Sequence, residues 1–308
     1  MSKAARLREK TARERIAAQQ AAAKRKEGRR RMMLFGGAIL AVIAVVVGII
    51  VGYDLRSPST SSASGGVHGT VLPASTASKI TGVSATTLNQ VGGGSIAGYE
   101  GTVYSGTPIV KISGGALSSG GKPEMLYIGA EYCPYCAAMR WSMAVALSRF
   151  GTFTTPLRGF HSSSTDVDPS TPTLTFYQAG YQSKYLTFTP VENEDISQKL
   201  LQATTSAQQT LWAKYDTSTQ NGVTSQGYPF IDFGNKYALK APIYDPAILK
   251  GMTWAQVAAA LNNPQSKVAR AIDGAANYIT AAICKMTGNK GPSGVCTSSA
   301  VTGRESGL

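Results

Sequence analysis

Tyr127-Ile128-Gly129-Ala130-Glu131-Tyr132-Cys133-Pro134-Tyr135-Cys136 is the stretch that decides how this chain is read. Met125 to Ala130 is an apolar run of buried-strand length. Beyond it Met139, Met143, Ala146, Leu147 and Phe150 recur at helical spacing as far as Gly151. Two cysteines therefore fall where a strand becomes a helix. Proline suits the first turn of a helix, where an amide hydrogen has no intrahelical partner, so Cys133 is expected near the N-cap and Cys136 about one turn inside. The unpaired amides and positive dipole end of such a helix stabilise a thiolate at Cys133, and the two-residue spacer lets Cys136 attack a mixed disulfide formed there.

Two blander readings compete. A CxxC pair is half of a zinc site, but the other half is hard to find. Cys284 and Cys296 are separated by eleven residues, and the two histidines, His68 and His161, lie elsewhere. An inert structural disulfide is the second. A strand-to-helix junction preceded by an aromatic favours redox chemistry over both, and no metal or cofactor is expected.

The chain has 308 residues, room for two domains or for one with appendages, and the second arrangement fits the charge distribution. Residues 1–31 hold 12 Lys/Arg against 3 Asp/Glu, so nine of the thirteen net positive charges sit in this tail. Met32 to Gly52 then runs for 21 residues without a charge, long enough to cross a hydrocarbon core of about 30 Å as a helix. The basic cluster from Lys24 to Arg31 precedes the run, whereas Asp54 and Arg56 follow it. The positive-inside rule puts the N-terminus in the cytoplasm and the remainder outside. The run exceeds the length of a signal-peptide core and no clear A-x-A-like site follows Tyr53, which favours an uncleaved anchor. Nothing in the tail resembles a base-reading module, so anionic lipid headgroups are its expected partner and nucleic acid is not.

The expected organisation is a basic cytoplasmic tail (1–31), a transmembrane helix (32–53), a Ser/Gly-rich tether (54–78), an α/β domain (79–298) with an insertion at 163–220, and a C-terminal tail (299–308). His68 in the tether reads as a solvated residue. Within the domain, Ile80 to Val91 reads as a short helix, Ile109 to Ile112 as a strand, and Leu157 to His161 as the strand reached by a parallel crossover after the CxxC helix. His161 reads as a structural residue. Leu174 to Tyr177 and Tyr185 to Phe188 alternate as half-buried strands do, and Ile196, Leu200, Leu201, Leu211, Trp212 and Tyr215 suggest helix. Phe230 to Phe233 and Tyr237 to Leu239 form a hairpin across Gly234-Asn235, with Pro229 at its start. X-Pro bonds are the ones that adopt the cis form, and a cis bond here turns the Tyr228 backbone toward a ligand. Thr253-Trp254-Ala255-Gln256 is a capping box, and a last helix runs after Pro264 to Cys284.

In order and content, a strand, CPYC at a helix start, an inserted region, Tyr-Pro before a hairpin and a closing helix resemble the thioredoxin fold. More narrowly, the CPYC stretch, Tyr228-Pro229-Phe230-Ile231-Asp232-Phe233-Gly234-Asn235-Lys236-Tyr237 and Ala276-Asn277-Tyr278-Ile279-Thr280-Ala281-Ala282-Ile283-Cys284 resemble the family called domain of unknown function 929, over roughly residues 80–298. The thioredoxin-like resemblance implies Cys133 as attacking thiolate, Cys136 as resolving thiol, Pro229 as a cis-proline facing the pair, and Tyr132 in the place of the thioredoxin tryptophan. Four cysteines in an exported domain are expected to be paired. Cys284 with Cys296 then closes a small loop, as a structural disulfide or as a relay to Cys133 and Cys136. The function expected is that of a membrane-tethered thiol–disulfide oxidoreductase. It would act on exported proteins, bind them beside Tyr132, Tyr228 and Pro229, and exchange electrons with a membrane redox partner. The competing function is a non-catalytic envelope binding protein that keeps the fold.

Overall fold

The computed structural model describes residues 68–94, 109–220, 223–305 and 308. The basic tail, the expected transmembrane helix at 32–53 and the first part of the tether lie outside the described residues. Among the described residues no helix is long and apolar enough to cross a membrane.

In chain order the elements are β1 (Thr70–Val71), α1 (Ala74–Thr81), α2 (Ala85–Val91), β2 (Val110–Lys111), β3 (Ser118–Ser119), β4 (Lys122–Ala130) and α3 (Pro134–Ser148). Next come β5 (Gly151–Phe153), β6 (Arg158–His161), β7 (Pro172–Thr175), β8 (Tyr181–Ser183), β9 (Thr187–Glu194) and α4 (Ser206–Tyr215). The chain closes with β10 (Thr217–Gln220), β11 (Val223–Gln226), β12 (Phe230–Phe233), β13 (Tyr237–Leu239), α5 (Trp254–Leu261), α6 (Lys267–Met286) and α7 (Ser299–Glu305). The architecture is mixed α/β.

The central sheet is built on β4. On one side β12 pairs with it antiparallel, with Ile231 opposite Tyr127, and continues to β13 and β2. On the other side β9 runs parallel, with Ile128 opposite Val191 and Gly129 opposite Glu192. Period-2 alternation divides β4 between two cores. Met125 and Tyr127 join the large cluster formed by α3, α6 and the shorter helices, whereas Leu126 and Ile128 join Val191, Phe230 and Trp212 of α4 on the opposite face. A strand covered on both faces has no reason to alternate in polarity, which is why the sequence from Met125 to Ala130 is uninterruptedly apolar. The hairpin turn at Gly234-Asn235 has both residues at positive φ, 66° and 57°, the type I′ geometry that matches strand twist, and Asp232 Oδ1 accepts the Asn235 N–H at 2.5 Å.

Several expectations are corrected. The parallel partner of β4 is β9, inside the stretch expected to be an insertion. Leu157 to His161 does contain a strand, β6, but it lies between β1 and β7 in a separate antiparallel sheet. Ile196, Leu200 and Leu201 precede α4 and are not helical; Leu200 is exposed. Ile80 to Val91 is two helices, because Ser84 breaks the run and caps α2 by accepting the Thr87 N–H. The fold begins before residue 79, with β1 and α1, and extends past 298: α7 buries Ala300 and Val301 and ties Glu305 to Lys285 at 2.7 Å. The capping box is present: Thr253 Oγ1 accepts the Gln256 N–H, and Gln256 Oε1 accepts the Thr253 N–H.

Candidate active site

Cys133 occupies the N-cap of α3 with Pro134 at the first helical position, and its sulfur accepts the Cys136 N–H at 3.3 Å. The local sequence accounts for this. Proline supplies helical φ and has no amide hydrogen to orphan, so the sulfur of the preceding residue is left facing the remaining free amides. The same sulfur lies 3.9 Å from the Tyr228 carbonyl oxygen, and the Tyr228–Pro229 bond is cis. Two segments 95 residues apart in sequence therefore meet at Cys133, joined through the β4–β12 pairing.

The two sulfurs differ in environment. Cys133 retains 5% exposure at the floor of an open cleft of about 640 Å³, while Cys136 is fully buried. The cleft walls include Tyr132, Tyr135, Tyr228 and Trp212, with Glu194 and Asp166 at its polar edge. The Tyr228 ring lies edge-on to Tyr132 at 6.3 Å and tilted against Trp212 at 5.0 Å, and its hydroxyl donates to Asn193 Oδ1 at 2.5 Å. Asn193 is the extra residue at the β-bulge opposite Gly129 and Ala130, so an irregularity in the sheet aims a side chain at the site. The Cys133 thiol is held below the usual cysteine range, first by the Cys136 side chain, then against the cost of burial by the Cys136 N–H and by Arg140. Burial pushes the Cys136 thiol well up, and Cys133 pushes it further. Cys133 is the sulfur that ionises first.

Behind the pair is a layer that sequence reading passed over. Arg140, the one charged residue of α3, is fully buried and forms a two-pronged ion pair with Glu192 of β9 (Nε to Oε1 2.8 Å, Nη2 to Oε2 2.6 Å), while Nη2 also donates to the Ala130 carbonyl at 2.8 Å. Glu131, two residues before Cys133, is buried. It accepts from Thr175 Oγ1 at 2.9 Å and pairs with His68 Nδ1 at 2.8 Å, and its carboxyl is pushed up, by burial first and then by Glu192. His68 is thus engaged, with its ring edge-on to Tyr177 at 4.7 Å, which corrects the expectation of a solvated residue. The signal in the sequence was Arg140 itself, a lone charge in an apolar helix at i+4 from Cys136. His161, exposed on β6, has its ring beside Trp254 at 5.0 Å and takes no part in the site.

Cys284 and Cys296 form a disulfide. At Gly291, within the loop it closes, a Cβ would lie 3.0 Å from Phe150 and 3.1 Å from Cys296 Sγ, so the bond packs at the end of α3 opposite the N-cap. A 15-residue helix, about 22 Å long, stands between it and Cys133. Among the described residues no cluster of His, Cys, Asp and Glu could hold a metal ion.

A family model, Domain of unknown function (DUF929), matches residues 108–285, which run from just before β2 almost to the end of α6. The chain belongs to the DUF929 family. No curated protein and no solved structure matches it. The DUF929 match takes in Cys133, Cys136, Arg140, Glu192, Tyr228 and Pro229, and leaves out His68 and Cys296. The free thiols of Cys133 and Cys136, the Arg140–Glu192 ion pair behind them and the residues that line the cleft fall within the DUF929 region.

Proposed function

We propose that this DUF929 protein is a thiol–disulfide oxidoreductase with a thioredoxin-like fold, anchored by residues 32–53 with its N-terminus in the cytoplasm and its catalytic domain outside. The observation that carries the reading is Cys133: a helix N-cap sulfur, more acidic than its neighbour, at the floor of a cleft and 3.9 Å from the carbonyl that precedes a cis-proline. The parallel β9–β4 pair, the antiparallel β12–β13 hairpin after Pro229 and the α6 helix on the α3 face support the fold assignment. The uncharged run from Met32 to Gly52 behind a basic tail supports the anchor, and the tail itself suits anionic headgroups.

An exported protein disulfide would lie along the Tyr228-Pro229 backbone between Tyr132 and Trp212. The Cys133 thiolate attacks one substrate sulfur, the substrate S–S bond breaks, and its electron pair leaves on the other sulfur, which takes up a proton. Cys136 then attacks Cys133, forming the enzyme disulfide and releasing the second substrate thiol. The reverse sequence oxidises a substrate dithiol, with a membrane redox partner restoring the starting state.

The test is turnover of insulin disulfides, or oxidation of reduced ribonuclease, by the detergent-solubilised chain. Cys133→Ser should abolish turnover and Cys136→Ser should accumulate mixed disulfide. A Cys133→Ser protein as active as its parent overturns the mechanism and leaves a binding protein in its place.

A further inference from the structure

Beneath Cys136 two buried hydrogen-bond donors stand without acceptors. Tyr127 folds back along β4 so that its hydroxyl fills the space above Gly129, where a Cβ would lie 1.9 Å from Oη. Glycine at 129 is what makes this posture possible, since residues 127 and 129 share the face of the strand that α3 covers. There Oη is buried with no nitrogen or oxygen partner, and the side chain it faces is that of Cys136. Arg140 approaches from the helix. It lies one turn after Cys136, and its guanidinium reaches back toward the helix start, where Nη2 meets the Ala130 carbonyl. Nε and Nη2 are satisfied by Glu192, but Nη1, also buried, has no partner. Arg140 Cζ lies 5.9 Å from the Tyr127 ring centroid. Each unsatisfied buried donor costs about 1–3 kcal/mol, and the Cys136 side chain lies close enough to act on both groups, so an occupant of negative charge at Cys136 would satisfy what the dithiol state leaves unmet.

We propose that the occupant is the negative charge of Cys136 itself: Tyr127 and Arg140 form a donor pocket for the Cys136 thiolate during release of the mixed disulfide. This rests on the oxidoreductase reading above and assigns the second half of its reaction. In that step the Cys136 S–H proton is taken by the departing substrate sulfur, the Cys133–substrate bond breaks, and a Cys133–Cys136 bond forms. Burial alone opposes the step, because it pushes the Cys136 thiol up, and Arg140 works against that push. The charge of Arg140 is already shared with Glu192, which leaves the Tyr127 O–H and one Arg140 Nη1 face as the uncommitted donors, the phenol being the one with no competing ion pair. Burial foremost, opposed by Arg140 and reinforced by Cys136, holds that phenol well above its ordinary range, so it remains a donor at any working pH.

The test is Tyr127→Phe, which removes one oxygen and keeps the ring. In the full chain, mixed disulfide formed with a dithiol-bridged peptide should be released about tenfold more slowly at pH 7, the rate equivalent of about 1.4 kcal/mol. The parent rate should return as pH rises, and alkylation of Cys133 should stay within about twofold of the parent. A second measurement does not depend on turnover: in a Cys133→Ser background, the ¹³Cβ shift of Cys136 reports its thiolate fraction, which Tyr127→Phe should lower about tenfold at fixed pH. An unchanged titration together with release within twofold of the parent overturns the proposal. If the parent forms no mixed disulfide at all, the oxidoreductase reading falls, while the Cys136 titration still decides whether Tyr127 serves the thiolate.

Discussion

Replacing Asp273 by Asn should have an effect on stability that reverses with pH. Asp273 lies on α6, the helix that packs against α3, close to the point where Ser142 Oγ of α3 donates to the Ile272 carbonyl at 2.8 Å. Its side chain is fully buried, neither carboxyl oxygen has a hydrogen-bond partner, and burial pushes its pKa up to about 8. In the unfolded chain an aspartate titrates near 3.9. Because the folded value is the higher one, the native state binds the proton more tightly. Below about pH 4 both states are protonated and the group is neutral toward stability; between about pH 4 and 8 the native state loses about 1.4 kcal/mol per pH unit, and beyond pH 8 the loss is complete. Four units at that slope give a ceiling of about 5–6 kcal/mol. Asparagine removes the titration but brings an amide whose donors find no partner, at a pH-independent cost of about 1–3 kcal/mol. The variant should therefore be less stable than the parent at pH 4.5 and should draw level with it or pass it by pH 8. Urea unfolding followed by fluorescence of the three tryptophans measures both proteins at both pH values. A stability difference that is the same at pH 4.5 and pH 8 would refute the assignment of a buried, protonated Asp273.

The remaining predictions concern the site. Glu192→Gln strands the Arg140 charge in the interior and should cost about 3–5 kcal/mol in the same urea experiment, while joint replacement of Arg140 and Glu192 by Met and Leu should recover most of it. Cys136→Ala removes the largest influence holding the Cys133 thiol down, so the midpoint of its iodoacetamide pH–rate curve should move up; an unmoved midpoint would count against the Cys133–Cys136 contact. Replacing Cys284 and Cys296 together by Ser opens a loop of 12 residues and should cost about 3 kcal/mol of stability. It should leave the Cys133 alkylation rate unchanged, whereas a relay between the pairs would alter it.

Legibility in the sequence followed the distance over which each feature is decided. The Cys133 cap, the Gly234-Asn235 turn and the Thr253 capping box were readable because proline, glycine and short polar side chains act on their own backbone within a few residues. The α4 helix was readable in part through Leu211, Trp212 and Tyr215, but Ile196, Leu200 and Leu201 misled: apolar residues at helical spacing are also found in a loop that leaves Leu200 exposed. His68 misled for the opposite reason, since a histidine in a polar stretch reads as solvated until its partner 63 residues away is known.

The amino-acid sequence by itself determined the junction: a strand that must be buried on both faces, a proline that starts the helix, and two sulfurs at its open end. Tertiary structure alone decided what surrounds those sulfurs. Strand pairing chooses among apolar segments by the packing of the whole sheet, so only the fold sets Thr187–Glu194 rather than Leu157–His161 beside β4. That choice brings Glu192 to Arg140 across 52 residues, and the β4–β12 pairing brings the Tyr228 carbonyl to Cys133 across 95. A charge or a carbonyl has no meaning for catalysis until its neighbours exclude water from it, and that exclusion is a property of packing.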